Sequence, residues 1–463
     1  MRLMSIISGR IPAAPGGLLV DLGGSREVDL PLASYDVDAS RAHVAELARL
    51  ELIDAAGAEQ LDAALEAIGR QLEDGTFAWR PEAEDIHMNV ETAVRGAVGS
   101  ELAGQLQAGR SRNDEVVTDE RRWLRDATSR LDDLILGLQR TLAARAAEEI
   151  ETILPAHTHT QPAQPVLLAH HLLAYVEMLE RDRGRLADAA ARANRSPAGS
   201  AAVAGSGLAL DRMATARRLG FDAPTVNSLD AISDRDYAVE LVSACAIAAN
   251  HLSRLAGELV LWSTPYLAFV RLDDSLVSGS SMLPQKRNPD AAELVRARAA
   301  RLNATLTQLL QLTAGLPLAY HRDFQETRGP MLAAVETLAL SLRAADAMLA
   351  TATFDRAAMR RAATAGHAIA TALAEKLVRA GVPFRDAHHR VGRLVAAADE
   401  RNIDLSELPE AELEAALPEL HASGRIMPTI EEAVGGADVI GGTAPARVRA
   451  ALEATMLRLG MSA

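Results

Sequence analysis

The chain has 463 residues, 49% of them hydrophobic and 24% charged, the balance of an ordinary soluble globular protein with room for several domains. A formal net charge of −14 excludes a general basic footprint for nucleic acid or an anionic membrane surface, so any anion has to be held by a local positive site. One cysteine, Cys245, excludes an internal disulfide and a cysteine-rich zinc site.

From the N-terminus, the apolar stretch within Met1–Arg10 is too short for a signal peptide, and no uncharged run approaches membrane-spanning length, so a cytosolic location is expected. Strand signals are sparse and confined to short pieces such as Gly17-Leu18-Leu19-Val20. Helical periodicity dominates the rest. Leu131, Leu134, Ile135, Leu138 and Leu142 recur at spacings that put them on one helix face. Similar patterns fill roughly 114–150, 165–194, 230–264, 289–315 and 330–351, separated by Pro162, Pro165, Pro197, Gly199, Gly279, Pro284, Pro317, Gly329 and Pro330. Cys245 lies inside an apolar run and reads as a buried thiol. The fold class is all-α: a bundle of about five long helices at 111–354, between helical segments at 1–110 and 355–463. Several of these helices are apolar over more than one face, as helices buried between neighbours are.

The stretch richest in chemistry is Gly279-Ser280-Ser281-Met282-Leu283-Pro284-Gln285-Lys286-Arg287-Asn288-Pro289-Asp290. A glycine and two serines make a flexible, hydroxyl-rich loop, with Pro289 and Asp290 suited to opening the helix that follows. Free N–H groups and a lysine at a helix start make a site for a carboxylate. A solvated linker would have the same turn residues. Lys286 weighs against that: 46 of the 48 basic residues are arginine, and the only lysines are Lys286 and Lys376. A compact ammonium placed here does what a planar guanidinium does not.

Gly279 to Asp290 resembles the signature of the fumarase/aspartase superfamily, in the form of its argininosuccinate lyase branch. Gly109-Arg110-Ser111-Arg112-Asn113-Asp114 and Thr158-His159-Thr160-Gln161-Pro162-Ala163-Gln164-Pro165 are similar to that branch's other two motifs, in the same order. Glu84-Asp85-Ile86-His87, Asp234-Arg235-Asp236 and Leu318–Glu326 agree as well. The resemblance implies a three-domain subunit whose central helices join those of three other copies in a twenty-helix core, with each active site built from three chains. It implies a fumarate-releasing C–N lyase acting on argininosuccinate, a small-molecule substrate, with no cofactor and no metal.

Residue by residue, the resemblance makes Ser280 the base that takes the Cβ proton, while Lys286 and Asn288 stabilise the aci-carboxylate dianion. His159 protonates the leaving nitrogen and is oriented by Glu293, with Thr158 beside it. Ser111, Arg112 and Asn113 bind substrate carboxylates; as plain sequence, they also read as a helix N-cap. Tyr320, Gln325 and Arg328 contact the leaving amino acid, with His87, Ser25 and Asp29 as further pocket residues. Departures from the family pattern gather at the leaving-group end. Nothing like Trp-Gly-Gly-Arg-Phe precedes Ser25, the Pro-Leu-Gly-Ser-Gly-Ala motif becomes Pro197–Ala202, and His157, His321 and Arg328 replace a tyrosine, an asparagine and a lysine. Two alternatives stay open: a paralogous lyase releasing fumarate from another N-substituted aspartate, and a crystallin-like structural protein.

Overall fold

The computed structural model describes residues 17–462; the N-terminal stretch read as too short for a signal peptide lies outside them. The fold is all-α with a few two-stranded ribbons. Five long helices stand where periodicity places them. They are labelled here with the other elements the site needs: α1 (Gly17–Gly23), α2 (Ala33–Arg49), α3 (Ala55–Glu73), α4 (Ile86–Val98), α5 (Arg112–Glu148), α6 (Leu168–Ala193), α7 (Asp236–Trp262), α8 (Asp290–Thr313) and α9 (Gln325–Thr351). On α5, Leu131, Ile135, Leu138 and Leu142 are fully buried, each stabilising the fold by roughly 1.5–3 kcal/mol, and Leu134 on the edge of that face is half-buried. No helix among the described residues is long and apolar enough to cross a membrane.

The chain divides into two compact units. The first takes the residues up to Leu131 with Arg185–Cys245 and Leu302–Glu336; the second takes Asp132–Gly184, Ala246–Arg301 and Thr337 onward. Each of the five long helices contributes residues to both units. In the first, α2, α3 and α4 pack around Val37, Val44, Leu47, Leu61, Leu65, Val90 and Val94. The second holds a separate C-terminal core, in which Leu373, Leu377, Val391, Leu405, Leu413 and Leu420 cluster. Cys245 is fully buried, and burial pushes its thiol up to about 12, so it is inert at neutral pH.

Two local readings change. Gly17–Val20 is the first turn of α1, not a strand. Pro330, read as a break, lies inside α9, which starts five residues earlier at Gln325. The entry of α9 is tied down by side chains, Thr327 to the Phe324 carbonyl and Gln325 to the Gly23 carbonyl, which offsets the missing proline N–H. Pro162 and Pro165 fall in the gap between α5 and α6, as read, and lie there in a strand. β1 (Ile153–Thr158) and β2 (Gln161–Leu167) form an antiparallel hairpin with a register shift at Ala156/His157. Proline is tolerated there because a two-stranded ribbon has edges that need no N–H donor.

Candidate active site

The candidate residues fall into two groups, one in each unit. In the second unit, His159 and Thr160 are the two residues that turn the β1–β2 hairpin, between the pair Thr158 and Gln161. Both have left-handed backbones, φ 53° and 60°, as a tight two-residue hairpin turn demands and as non-glycine residues rarely supply. That turn holds the His159 imidazole out from the ribbon, exposed to solvent, and Thr158 is exposed beside it.

The second motif is a clasp. β3 (Ser278–Gly279) pairs antiparallel with β4 (Arg287–Asn288), joining Ser278 to Asn288 and Gly279 to Arg287, so that residues 280–286 form a closed loop. Asn288 Nδ2 donates to Ser278 Oγ at 3.3 Å, and Arg287 anchors the clasp through the Leu272 carbonyl at 3.1 Å and Asp274 at 2.6 Å. Ser280 Oγ accepts backbone N–H bonds from Met282 at 3.2 Å and Leu283 at 3.0 Å. Two aligned N–H dipoles on a hydroxyl oxygen favour its alkoxide, an activation invisible in sequence. The Lys286 side chain is exposed and, among the described residues, has no hydrogen-bonding or ionic partner. Lys376, by contrast, caps the carbonyls of Arg425 and Ile426. Glu293 lies exposed in the first turn of α8. Among the described residues no hydrogen bond or ion pair joins it to His159. His171 Nε2 and Tyr175 OH both meet Glu258 Oε2 at 2.7 Å.

In the first unit, Ser111, Arg112 and Asn113 open α5. The N-cap reading holds: Ser111 Oγ accepts from Asn113 N at 3.3 Å, and Asp114 accepts from Ser111 N at 3.0 Å. Asp114 also accepts from Gly199 N at 2.9 Å and Ala201 N at 2.8 Å, while Asn113 Nδ2 donates to the Ala202 carbonyl, so the altered Pro197–Ala202 segment wraps the start of α5. The Arg112 guanidinium is already engaged. It meets both Asp85 oxygens at 2.6 Å, with Glu115 at 3.4 Å and Glu91 at 3.8 Å.

His87 is buried and lines a small cavity with Asp36, Ser40, Val90 and Glu91. Its Nδ1 meets Asp36 at 2.9 Å and faces Asp119 at 4.0 Å. Burial opposes the imidazolium, but Asp36 outweighs it and holds His87 up to about 9. Burial and the Asp36 charge together push Asp119 well above the usual carboxylate range. A folded pKa above the unfolded value means that the His87 contribution is full below about pH 6.5 and disappears as pH rises through about 9. His87→Gln is therefore expected to be less stable than the parent at pH 6. The gap should narrow steadily towards pH 9.5 in denaturant titrations; a gap constant with pH would remove the charged pair from the account.

Around Arg328 the structure gathers four more residues. Arg328 Nε donates to Glu120 at 2.8 Å and Nη1 to Asp29; Ser25 donates to Asp29 at 2.5 Å and Tyr237 to Glu120. Gln325 donates to the Gly23 carbonyl at 3.0 Å, and Tyr320 packs its ring 6.3 Å from Phe324. His321 Nε2 is buried with no hydrogen-bond partner among the described residues. Glu120 and Tyr237 were not among the sequence candidates. The signal was there: Thr118-Asp119-Glu120-Arg121 is a polar run all round a helix, which calls for partners, and all four are buried.

Residues 24–303 match the lyase family model, and residues 367–435 match the model of the argininosuccinate lyase C-terminal region. An argininosuccinate lyase of Hyphomonas neptunium (strain ATCC 15444) is 46% identical over 441 residues, covering 95% of each chain. Among solved structures, EDDS lyase in complex with formate superposes with a TM-score of 0.81 at 27% identity, over 95% of this chain and 88% of that one. A fumarate lyase from Mesorhizobium sp. BNC1 shares the fold alone, with a TM-score of 0.73 at 19% identity, over 93% and 95%.

Proposed function

The chain belongs to the lyase family, and from that membership we propose that it splits argininosuccinate into arginine and fumarate by β-elimination. The observation that carries the mechanism is the pair of backbone N–H groups on Ser280 Oγ, which prepares a hydroxyl to act as base. Ser280 takes the Cβ proton. The electron pair passes into the adjacent carboxylate, where Lys286 and Asn288 receive the dianion's charge. The Cα–N bond then breaks, the C=C bond of fumarate forms, and His159 gives a proton to the departing nitrogen. The proton taken by Ser280 returns to solvent. Lys286 supplies the cation, so the reaction asks for neither metal nor cofactor.

Ser111 and Asn113 donate to a substrate carboxylate, with Arg112, anchored on Asp85, adding its positive field; Thr158 binds next to His159. Tyr320, Gln325 and Arg328 receive the leaving amino acid, and Ser25, Asp29 and His87 brace them. The active unit is a homotetramer of three-domain subunits, in which Glu293 of one copy orients His159 of another. Leucines left open on the long helices support this: Leu261, Leu294, Leu310 and Leu340 are 51, 58, 49 and 43% exposed. A spectrophotometric fumarate assay with argininosuccinate, arginine being measured in parallel, tests the reading. Equal release of both at about 1 per second or faster is expected. A folded tetramer that releases fumarate only from other N-substituted aspartates would instead assign the altered leaving-group end to a different amine, the alternative that His157, His321 and Arg328 favour.

A further inference from the structure

The Arg328 network is closed at every atom but one. Glu120 Oε1 receives Arg328 Nε and Oε2 receives the Tyr237 hydroxyl; Asp29 Oδ1 receives Arg328 Nη1 and Oδ2 receives Ser25. Asp29, Glu120, Tyr237, Arg328 and Ser25 are 0, 1, 3, 5 and 7% exposed, so none of these bonds exchanges freely with water. The guanidinium nitrogen left over is Nη2. It donates to no acceptor among the described residues, yet it is not among the atoms sealed from solvent. A guanidinium held by one carboxylate can swing about that contact, whereas one held at Nε and Nη1 by two carboxylates has its plane fixed. With the plane fixed, Nη2 points one way.

We infer that Glu120, braced by Tyr237, is a positioning residue that sets the plane of Arg328 so that Nη2 meets the carboxylate of the departing amino acid. This rests on the assignment of Arg328 to the leaving-group end. Glu120 acts through Arg328 and does not touch the reacting atoms, so its loss weakens binding of the amino acid and leaves proton abstraction alone. A glutamine at 120 still accepts from Arg328 Nε and can donate to Tyr237 in place of accepting, so it preserves the plane. A leucine cannot.

The test is product inhibition of argininosuccinate cleavage, with arginine and fumarate as separate probes. Glu120→Leu is expected to raise the arginine inhibition constant roughly tenfold, the cost of about one hydrogen bond's worth of ordering. Tyr237→Phe should raise it about threefold, Glu120→Gln should leave it near the parent value, and the fumarate constant should not move in any of the three. A structural role alone would lower thermal midpoints without separating the two products, and would overturn the inference. Should Glu120→Leu not fold, Tyr237→Phe and Glu120→Gln decide the matter. Arg328→Gln, which removes the charge, separates the layers. If it weakens arginine while the Glu120 and Tyr237 variants do not, the positioning role falls. If it spares arginine, the leaving-group assignment of Arg328 falls, and the inference with it.

Discussion

Replacing Ser280 by alanine is expected to cut fumarate release by at least about a thousandfold while fumarate still binds, because the variant loses the one group assigned to take the Cβ proton and little else. The Cβ proton is weakly acidic, and water in the pocket is a poor substitute for an oxygen already held by two N–H donors. The loop should survive the change. Its ends are fixed by the β3–β4 pairing and by Arg287 on Asp274 and the Leu272 carbonyl, none of which involves the Ser280 hydroxyl. The measurement is kcat beside a fumarate titration and a check of oligomeric state. Full turnover in the alanine variant would take the base assignment away from Ser280 and leave the clasp as a mere carboxylate site.

The second large effect is on stability. Arg328→Met keeps the length and apolar stem but leaves Asp29 and Glu120 facing each other without a cation, both almost wholly buried. Breaking a buried pair in this way costs about 3–5 kcal/mol, far more than the pair itself contributes. Burial already holds Asp29 above the usual carboxylate range, against the lowering by Arg328 and Ser25. Removing Arg328 raises it further, so the folded variant binds more protons than its unfolded chain, and its stability falls as pH rises above the ordinary aspartate range. The thermal midpoint of Arg328→Met should therefore lie well below that of the parent at pH 8 and approach it at pH 5. A deficit that did not change with pH would mean that the loss is one of packing.

The long helices were legible because their apolar spacing persists over many turns and a tertiary core enforces it, as Leu131, Ile135, Leu138 and Leu142 illustrate. What misled was proline. Pro330 was read as a break ahead of a helix, when neighbouring side chains carry α9 through it. The motifs gave the identities at 111–113, 158–159 and 280–288, but not their states. No spacing rule says that Ser280 Oγ receives two N–H bonds, that His159 occupies a left-handed turn, or that Arg112 is taken up by Asp85. Glu120 and Tyr237 escaped because 208 residues separate Glu120 from Arg328 and 117 separate it from Tyr237, and only the folded chain brings them together.

The unequal surroundings of the two lysines turn the chain into a reagent of its own. Lys376 spends its ammonium on backbone carbonyls, so among the described residues Lys286 carries the more accessible ε-amine for an acylating dye, and it stands in the loop assigned to the substrate. A single environment-sensitive fluorophore could be attached at Lys286 without engineering any residue. Protection of that amine by fumarate would then report occupancy of the loop directly.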